Sequence, residues 1–326
     1  MTTQYSPRLH NEIYPFIEPA KFKGSLQDKV VLITGSAGTI GRALAECFAV
    51  AGAKLVLVYN RTPAKPDFKE QCTKLGASSV TFIQCDISDL TSCRELVEKV
   101  EKSVGSIDVL VNNAGVDHLG PLHSHDPERL LDGLAVNLLG PFYLARLVIP
   151  GFMQRKQGCI INIASRGGTI DIPFNTIYCT SKAALIRMTS CWQLELNSTG
   201  CDDIHMYALH PGAVHSELTS AGSAAGFFAE YPHVGKMFLD SLKTFKDSPH
   251  LSGMVSVALA TGIAKEALKG KYFDVQQDLE DVITQASTIR ADPELYTLNT
   301  KFLGGLENDG GTEKRAAEDP FQFPGF

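Results

Sequence analysis

The chain is 326 residues long, 44% hydrophobic and 20% charged, with a formal net charge of -6. These values describe an ordinary soluble globular chain with residues enough for a sizeable core, and they point away from nucleic acid as a partner. Eight cysteines are scattered without a CxxC pair, so no disulfide framework and no metal site is expected, and reduced thiols are the default.

In chain order, "MTTQYSPRLHNEIYPFIEPAKFKG" has no apolar stretch flanked by basic residues, which argues against a secretory signal and for a cytoplasmic protein. Residues 1–27 form an N-terminal extension containing prolines and aromatics, and 28–302 form the main domain. Apolar runs rich in Val, Ile and Leu follow at 29–35, 53–59, 80–86, 107–115, 158–165 and 203–212. None alternates strictly with polar residues, as expected of strands covered on both faces. Between them lie segments of helical period such as "SDLTSCRELVEKVEKS", which opens on Asp and Ser capping candidates. Repeated strand–helix alternation predicts an α/β fold, a Rossmann-type doubly wound parallel β-sheet flanked by helices in one domain.

The most membrane-like window, "LLDGLAVNLLGPFYLARLVIPGF", carries Asp132, Asn137, Pro141 and Arg146. Burying those groups in hydrocarbon would cost roughly several kcal/mol each, so the window reads as a buried helix and no membrane contact is expected. Residues 216–252, with Gly222, Gly226, Phe227, Phe228, Tyr231, Phe238 and Phe245, read as an inserted substrate lid. A pair of oligomer-contact helices is the competing reading. Residues 303–326, Gly-rich and charged, read as a flexible C-terminal tail.

"TGSAGTIG" follows the first strand and opens a helix, the geometry in which backbone N–H groups bind a pyrophosphate. A structural turn could carry the same glycines, but the position after the first strand of an alternating pattern favours a dinucleotide. Gly35, Ser36, Thr39, Ile40 and Gly41 are the candidates there. Thr39 either shifts the loop with its Cβ or offers its hydroxyl to a phosphate oxygen. The second strand ends in Tyr59, Asn60, Arg61 and Thr62, without the acidic residue that would hold the 2′-OH of NAD. Asn60 and Arg61 suit a 2′-phosphate and favour NADP(H) over NAD(H), although Arg61 also suits an exposed strand end. Asp86 and Ile87 would face the adenine, although "DIS" also suits a helix cap. Asn113, Ala114 and Gly115 end the fourth strand with small residues where backbone would pass the cofactor.

Tyr178 and Lys182 share a helix face at i and i+4. An ammonium beside a phenol should lower its pKa and make Tyr178 a proton donor and acceptor. Ser165, 13 residues upstream at a strand end, could hold the substrate oxygen. Asn137 is an amide in apolar surroundings, either satisfied by backbone or anchoring a water that relays protons to Lys182. His118, His123 and His125 lie after the fourth strand, where they could line a pocket. His210 reads as a packed core histidine, and His215 flanks the cofactor segment.

"TGxxxxxG", "NNAG", the Asn of "VNLLG", Ser165, YxxxK and "PGAVHS" occur in an order and spacing that resembles the short-chain dehydrogenase/reductase family over about residues 28–275. The resemblance implies a catalytic tetrad of Asn137, Ser165, Tyr178 and Lys182, with Tyr178 and Lys182 also at the cofactor. It also implies a nicotinamide cradle over Pro211, Gly212, Val214 and Ser216. Ser216 replaces the more usual Thr and keeps its hydroxyl. The implied reaction is hydride transfer between NADP(H) and a ketone or secondary alcohol of a small hydrophobic or polyfunctional metabolite, in a homodimer or homotetramer. "TGSAGTIG" itself fits the extended branch, rich in epimerases and dehydratases, whereas "NNAG", the Ser-to-Tyr interval and "PGxVxS" are features of the classical type. An epimerase or dehydratase with tightly held cofactor, or a non-catalytic dinucleotide-binding scaffold, are the alternatives. The lead-in "YPFI…PAKFKGSL" also resembles that of a fungal subgroup.

Overall fold

The computed structural model describes residues 6–63, 65–219 and 225–303, together with Asn308 and Pro324. Seven parallel strands form one sheet in the order β3-β2-β1-β4-β5-β6-β7. They are β1 Val30–Ile33, β2 Lys54–Tyr59, β3 Ser79–Gln84, β4 Ile107–Asn112, β5 Gly158–Ile163, β6 Ile204–His210 and β7 Tyr272–Asp274. Five of them fall inside the apolar runs of the sequence, and β3 begins one residue before its run. The seventh is only three residues long and shows no run of its own.

The helices that position the site are α1 Thr39–Val50, α2 Phe68–Leu75, α3 Leu90–Ser103, α4 Pro127–Leu134, α5 Gly140–Arg155 and α6 Thr176–Ser198. They are followed by α7 Ala225–Glu230, α8 Pro232–Leu242 and α9 Pro249–Ala260. Consecutive strand residues feed opposite layers. Val31 and Ile33 pack into the layer with Leu44, Phe48 and Met254, while Val30 and Leu32 pack into the layer with Leu144, Val148 and Phe152. Burial on both faces is why the strands lack an alternating pattern. Strands are added outward in one direction from β1 to β3 and in the other from β4 onward, and ligands bind at such a switch point beyond the strands' carboxyl ends.

The lead-in is, over residues 6–27, built into the domain. Tyr14, Ile17, Phe22 and Leu26 are buried in the core, and Leu9 bridges to Gln277. The stretch Pro127–Arg155 is long and apolar enough by composition to cross a bilayer, and 44% of its most apolar window is buried inside the fold. All eight cysteines are free thiols. Of residues 303–326, only Leu303, Asn308 and Pro324 are described, so the tail reading lies otherwise outside the described residues, as does Gly222.

The Tyr14 hydroxyl accepts a hydrogen bond from Leu279 N at 2.8 Å in a buried setting. Tyr14→Phe leaves that N–H without a partner and should cost about 1–3 kcal/mol. The expected readout is a lower urea midpoint with an unchanged slope.

Candidate active site

The turn between β1 and α1 is pressed against the end of β4. Gly35 has φ 63°, and a Cβ there would lie 2.8 Å from Ala114 Cα. A Cβ on Gly41 would lie 2.2 Å from the Gly35 carbonyl oxygen, so both positions exclude a side chain. Thr34 Oγ1 accepts from Asn113 N and Ala114 N, each at 3.0 Å, and Asn113 Nδ2 donates back to the Thr34 and Gly35 carbonyls at 2.9 and 3.1 Å. Ser36 turns inward and donates to the Val58 carbonyl at 3.0 Å.

A cleft of about 520 Å³ runs over this turn. Gly35, Thr39, Ile40 and Gly41 border one side and Asn60 and Arg61 one end. Asp86 and Ile87 border the cleft after β3, Asn113, Ala114 and Gly115 after β4, and Pro211 and Ser216 after β6. Ser36, Gly212 and Val214 are not among the bordering residues. Gly212 has φ 89° and a Cβ there would lie 2.8 Å from Asp247 Oδ2, the oxygen that accepts from Ala213 N at 2.6 Å. With the buried Val214, Gly212 shapes the loop that carries Ser216. Asp86 accepts from Ser88 N and Oγ at 3.0 and 2.6 Å; the cap of α3 is Asp89, which accepts from Ser92 N at 2.7 Å.

The opposite end of the cleft reaches Tyr178 and Lys182. They sit one turn apart on α6, with Lys182 Nζ 5.6 Å from the Tyr178 ring centroid and donating to the Ile163 carbonyl at 2.7 Å. Ser165, just beyond β5, hydrogen-bonds Tyr178 and accepts from Gly167 N at 3.1 Å. Asn137 lies in a π-helical turn, Ala135–Leu139, a distortion often found at functional sites. Its Oδ1 accepts from Val116 N at 2.9 Å, and its Nδ2 donates to the Val116 carbonyl at 2.9 Å and to Ser181 Oγ at 3.2 Å. Backbone thus satisfies this amide, which holds the loop after β4 against α6. A Cβ on Gly115 would lie 3.3 Å from Asn137 Oδ1 and 3.8 Å from Lys182 Nζ, so the small residue after β4 keeps that corner open.

Of the three histidines after β4, His118 borders the cleft and pairs with Asp132 at 2.9 Å. His125 instead packs beside Gly120. His210 is buried, with Nδ1 accepting from Arg166 N at 3.1 Å, and burial pulls its pKa down to about 4. His215 lies tilted against Phe245, with 5.9 Å between ring centroids. Phe227 and Tyr231 reach Phe174, at 5.3 and 6.2 Å between ring centroids, in the loop that leads into α6.

A family model described as short chain dehydrogenase matches residues 29–225. The chain belongs to the short-chain dehydrogenase family. A short chain dehydrogenase of Pseudocercospora fijiensis is 34% identical over 278 residues, covering 84% of this chain and 88% of the relative. The short chain dehydrogenase pigC of Monascus ruber is 29% identical over 291 residues, covering 86% and 89%. Among solved structures, a Beutenbergia cavernae protein with bound NADP, described as an NAD(P) dependent gluconate 5-dehydrogenase, matches with TM-score 0.65 and 25% identity over 78% of this chain and 97% of that one. A short-chain type dehydrogenase/reductase from Mycobacterium marinum shares the fold, with TM-score 0.66 and 23% identity over 79% and 97%. The chain is thus an oxidoreductase of a family that binds NAD(P).

In this dehydrogenase, burial reverses the expected effect of Lys182 on the tyrosine. Burial pushes the Tyr178 phenol up to about 12, against the pull of its Ser165 hydrogen bond. Burial also draws Lys182 down to about 8, with Asp117 opposing. Asp117 itself is raised to about 6 by burial, and Asn175 donates to its Oδ2 at 3.3 Å. The reason is the dry setting: desolvation is the largest influence on each group and disfavours both charged forms.

Several site residues escape sequence reasoning. Asp117 and Asn175 carry no motif, and Thr34, which opens "TGSAGTIG", gives no sign there of its hold on the end of β4. Gly168 does have a signal, the second glycine of "SRGG". Its Cβ would lie 2.8 Å from the Lys182 carbonyl carbon, so a glycine lets the Ser165 loop lie on the catalytic helix.

Carbonyl reduction needs the Tyr178 proton, held up to about 12, and the Lys182 ammonium, lost as pH rises through about 8. The expected kcat for reduction is level near neutrality and falls above about pH 8, measured from about pH 6 to pH 10. A profile still level at the alkaline end would remove the charged lysine from the chemistry.

Proposed function

We propose that the protein is an NADP(H)-dependent reductase, or dehydrogenase in the reverse direction, acting on a ketone or secondary alcohol of a small hydrophobic or polyfunctional metabolite. The observation that carries this reading is one cleft with Asn60 and Arg61 at one end and Tyr178 and Lys182 at the other. The residues fit a dinucleotide. The turn excludes any Cβ at Gly35 and Gly41, and Thr39, Ile40 and Gly41, in the first turn of α1 where N–H groups lack internal partners, border the cleft. Arg61 supplies the charge a 2′-phosphate would need, and no acidic residue ends β2 to prefer the free ribose hydroxyl. The solved Beutenbergia cavernae relative with bound NADP supports the same choice.

The chemistry that the dinucleotide supplies when bound is hydride transfer at its nicotinamide. The Ser165 and Tyr178 hydroxyls are neighbours and together would hold the carbonyl oxygen. Tyr178 gives its proton to that oxygen. The Lys182 ammonium then faces the phenolate and lowers the cost of forming it. Asn137 fixes the loop after β4, so the corner beside Lys182 keeps its shape. The aromatic contacts of Phe227 and Tyr231 with Phe174 favour a lid over residues 216–252, because they bring α7 against the loop that carries the catalytic helix. An apolar lid suits an apolar substrate and excludes water from the proton transfer.

In a panel of ketones, the purified protein should oxidise NADPH faster than NADH, and Tyr178→Phe should lower turnover by about a hundredfold or more with NADPH binding kept. Arg61→Ser should raise KM for NADPH about tenfold and leave KM for NADH alone. Tightly held nucleotide with no net NADPH consumption would mark an epimerase or dehydratase instead.

The cell compartment we propose is the cytoplasm, and the assembly a homodimer or homotetramer. Phe142 of α5 stacks on Trp192 of α6 at 5.5 Å, and Phe142 and Leu194 are exposed on those two helices. An apolar face of that kind suits a second copy of the chain. Leu194→Glu should shift the mass seen by light scattering toward the monomer.

A further inference from the structure

We propose that Glu217 is a resident anion that competes with the dinucleotide pyrophosphate for the N-terminus of α1, and that Thr39 holds it there. This rests on the NADP(H) reading of the cleft. One carboxylate oxygen, Glu217 Oε2, accepts from Thr39 N at 3.3 Å and from Thr39 Oγ1 at 3.0 Å. Thr39 is the first residue of α1, and Gly38 before it offers no side-chain cap. Its N–H is therefore one of the donors a helix leaves without an internal partner, at the positive end of the helix dipole. A pyrophosphate at this turn needs that same N–H.

The second donor is what distinguishes a threonine from a glycine at position 39. Glycine would keep the backbone donor and lose the hydroxyl, leaving Glu217 with one hydrogen bond instead of two. Glu217 stays ionised at neutral pH: its pKa is held below the ordinary carboxylate value, first by its own backbone N–H and then by the Thr39 donors, with Arg42 adding attraction.

Two anions cannot share one N–H donor without strong repulsion. Entry of a pyrophosphate therefore displaces the Glu217 carboxylate. Glu217 also borders the cleft and follows Ser216 directly. The geometry gives Thr39 a role other than direct contact with phosphate: it tunes cofactor affinity downward through Glu217.

The test is titration of NADPH fluorescence on the full-length protein, its Glu217→Gln and Glu217→Ala variants, and Thr39→Ala in both the wild-type and Glu217→Ala backgrounds. Both Glu217 variants should bind NADPH roughly three- to tenfold more tightly, the size of a charge interaction at a helix end. Thr39→Ala should tighten binding by part of that factor alone and add nothing once Glu217 is alanine. Equal or weaker binding by the Glu217 variants, with the wild type binding normally, overturns the competition. Wild-type protein that binds neither NADPH nor NADH overturns the reading of the cleft and this proposal with it.

Discussion

The clasp between Thr34 and Asn113 is the contact on which the site depends. One hydroxyl takes two backbone N–H groups from the end of β4, and one amide returns two hydrogen bonds to the turn after β1. The clasp locks the anion-binding turn to the strand whose continuation, Gly115, lies beside Asn137 and Lys182. Phosphate end and proton-transfer end are therefore parts of one rigid frame. The glycines at 35 and 41 are consequences of that closeness, since backbone from three segments meets where side chains would stand.

The catalytic end depends on a second constraint, the scarcity of water. Tyr178 and Lys182 are both pushed toward their neutral forms by burial. A phenol that keeps its proton at neutral pH is suited to giving it to a carbonyl oxygen. A lysine near its own midpoint answers readily to charge developing beside it. Asp117 adds a negative charge close enough to bias both groups, which places the loop after β4 within the electrostatics of the site as well as its shape.

Motif residues were legible in the sequence because their roles follow from local geometry. An i, i+4 pair shares a helix face wherever the helix goes, and a glycine-rich turn between strand and helix presents its N–H groups in any fold of this class. Ser165 needed more, since its value lies in meeting Tyr178 across the chain, and only the resemblance to a family supplied that. The residues that stayed hidden act through distant partners. Glu217 meets Thr39 across 178 positions of sequence, and Tyr14 meets Leu279 across 265. Gly168 shows its purpose only once the backbone it touches is known. The direction of the Tyr178 shift is hidden for the same reason: a neighbouring charge is visible in a sequence, and desolvation is not.

By itself the sequence determined the fold class, the order of strands and helices, and the residue types that can bind a dinucleotide and move a proton. Those properties come from hydrophobic period, turn chemistry and short spacings, all of which act within a few residues. Only the tertiary structure decided which polar groups are satisfied, which are dry, and which anion stands at the start of α1. These are set by packing between segments far apart in the chain, and a carboxylate on a helix N–H is a fact of position rather than of composition.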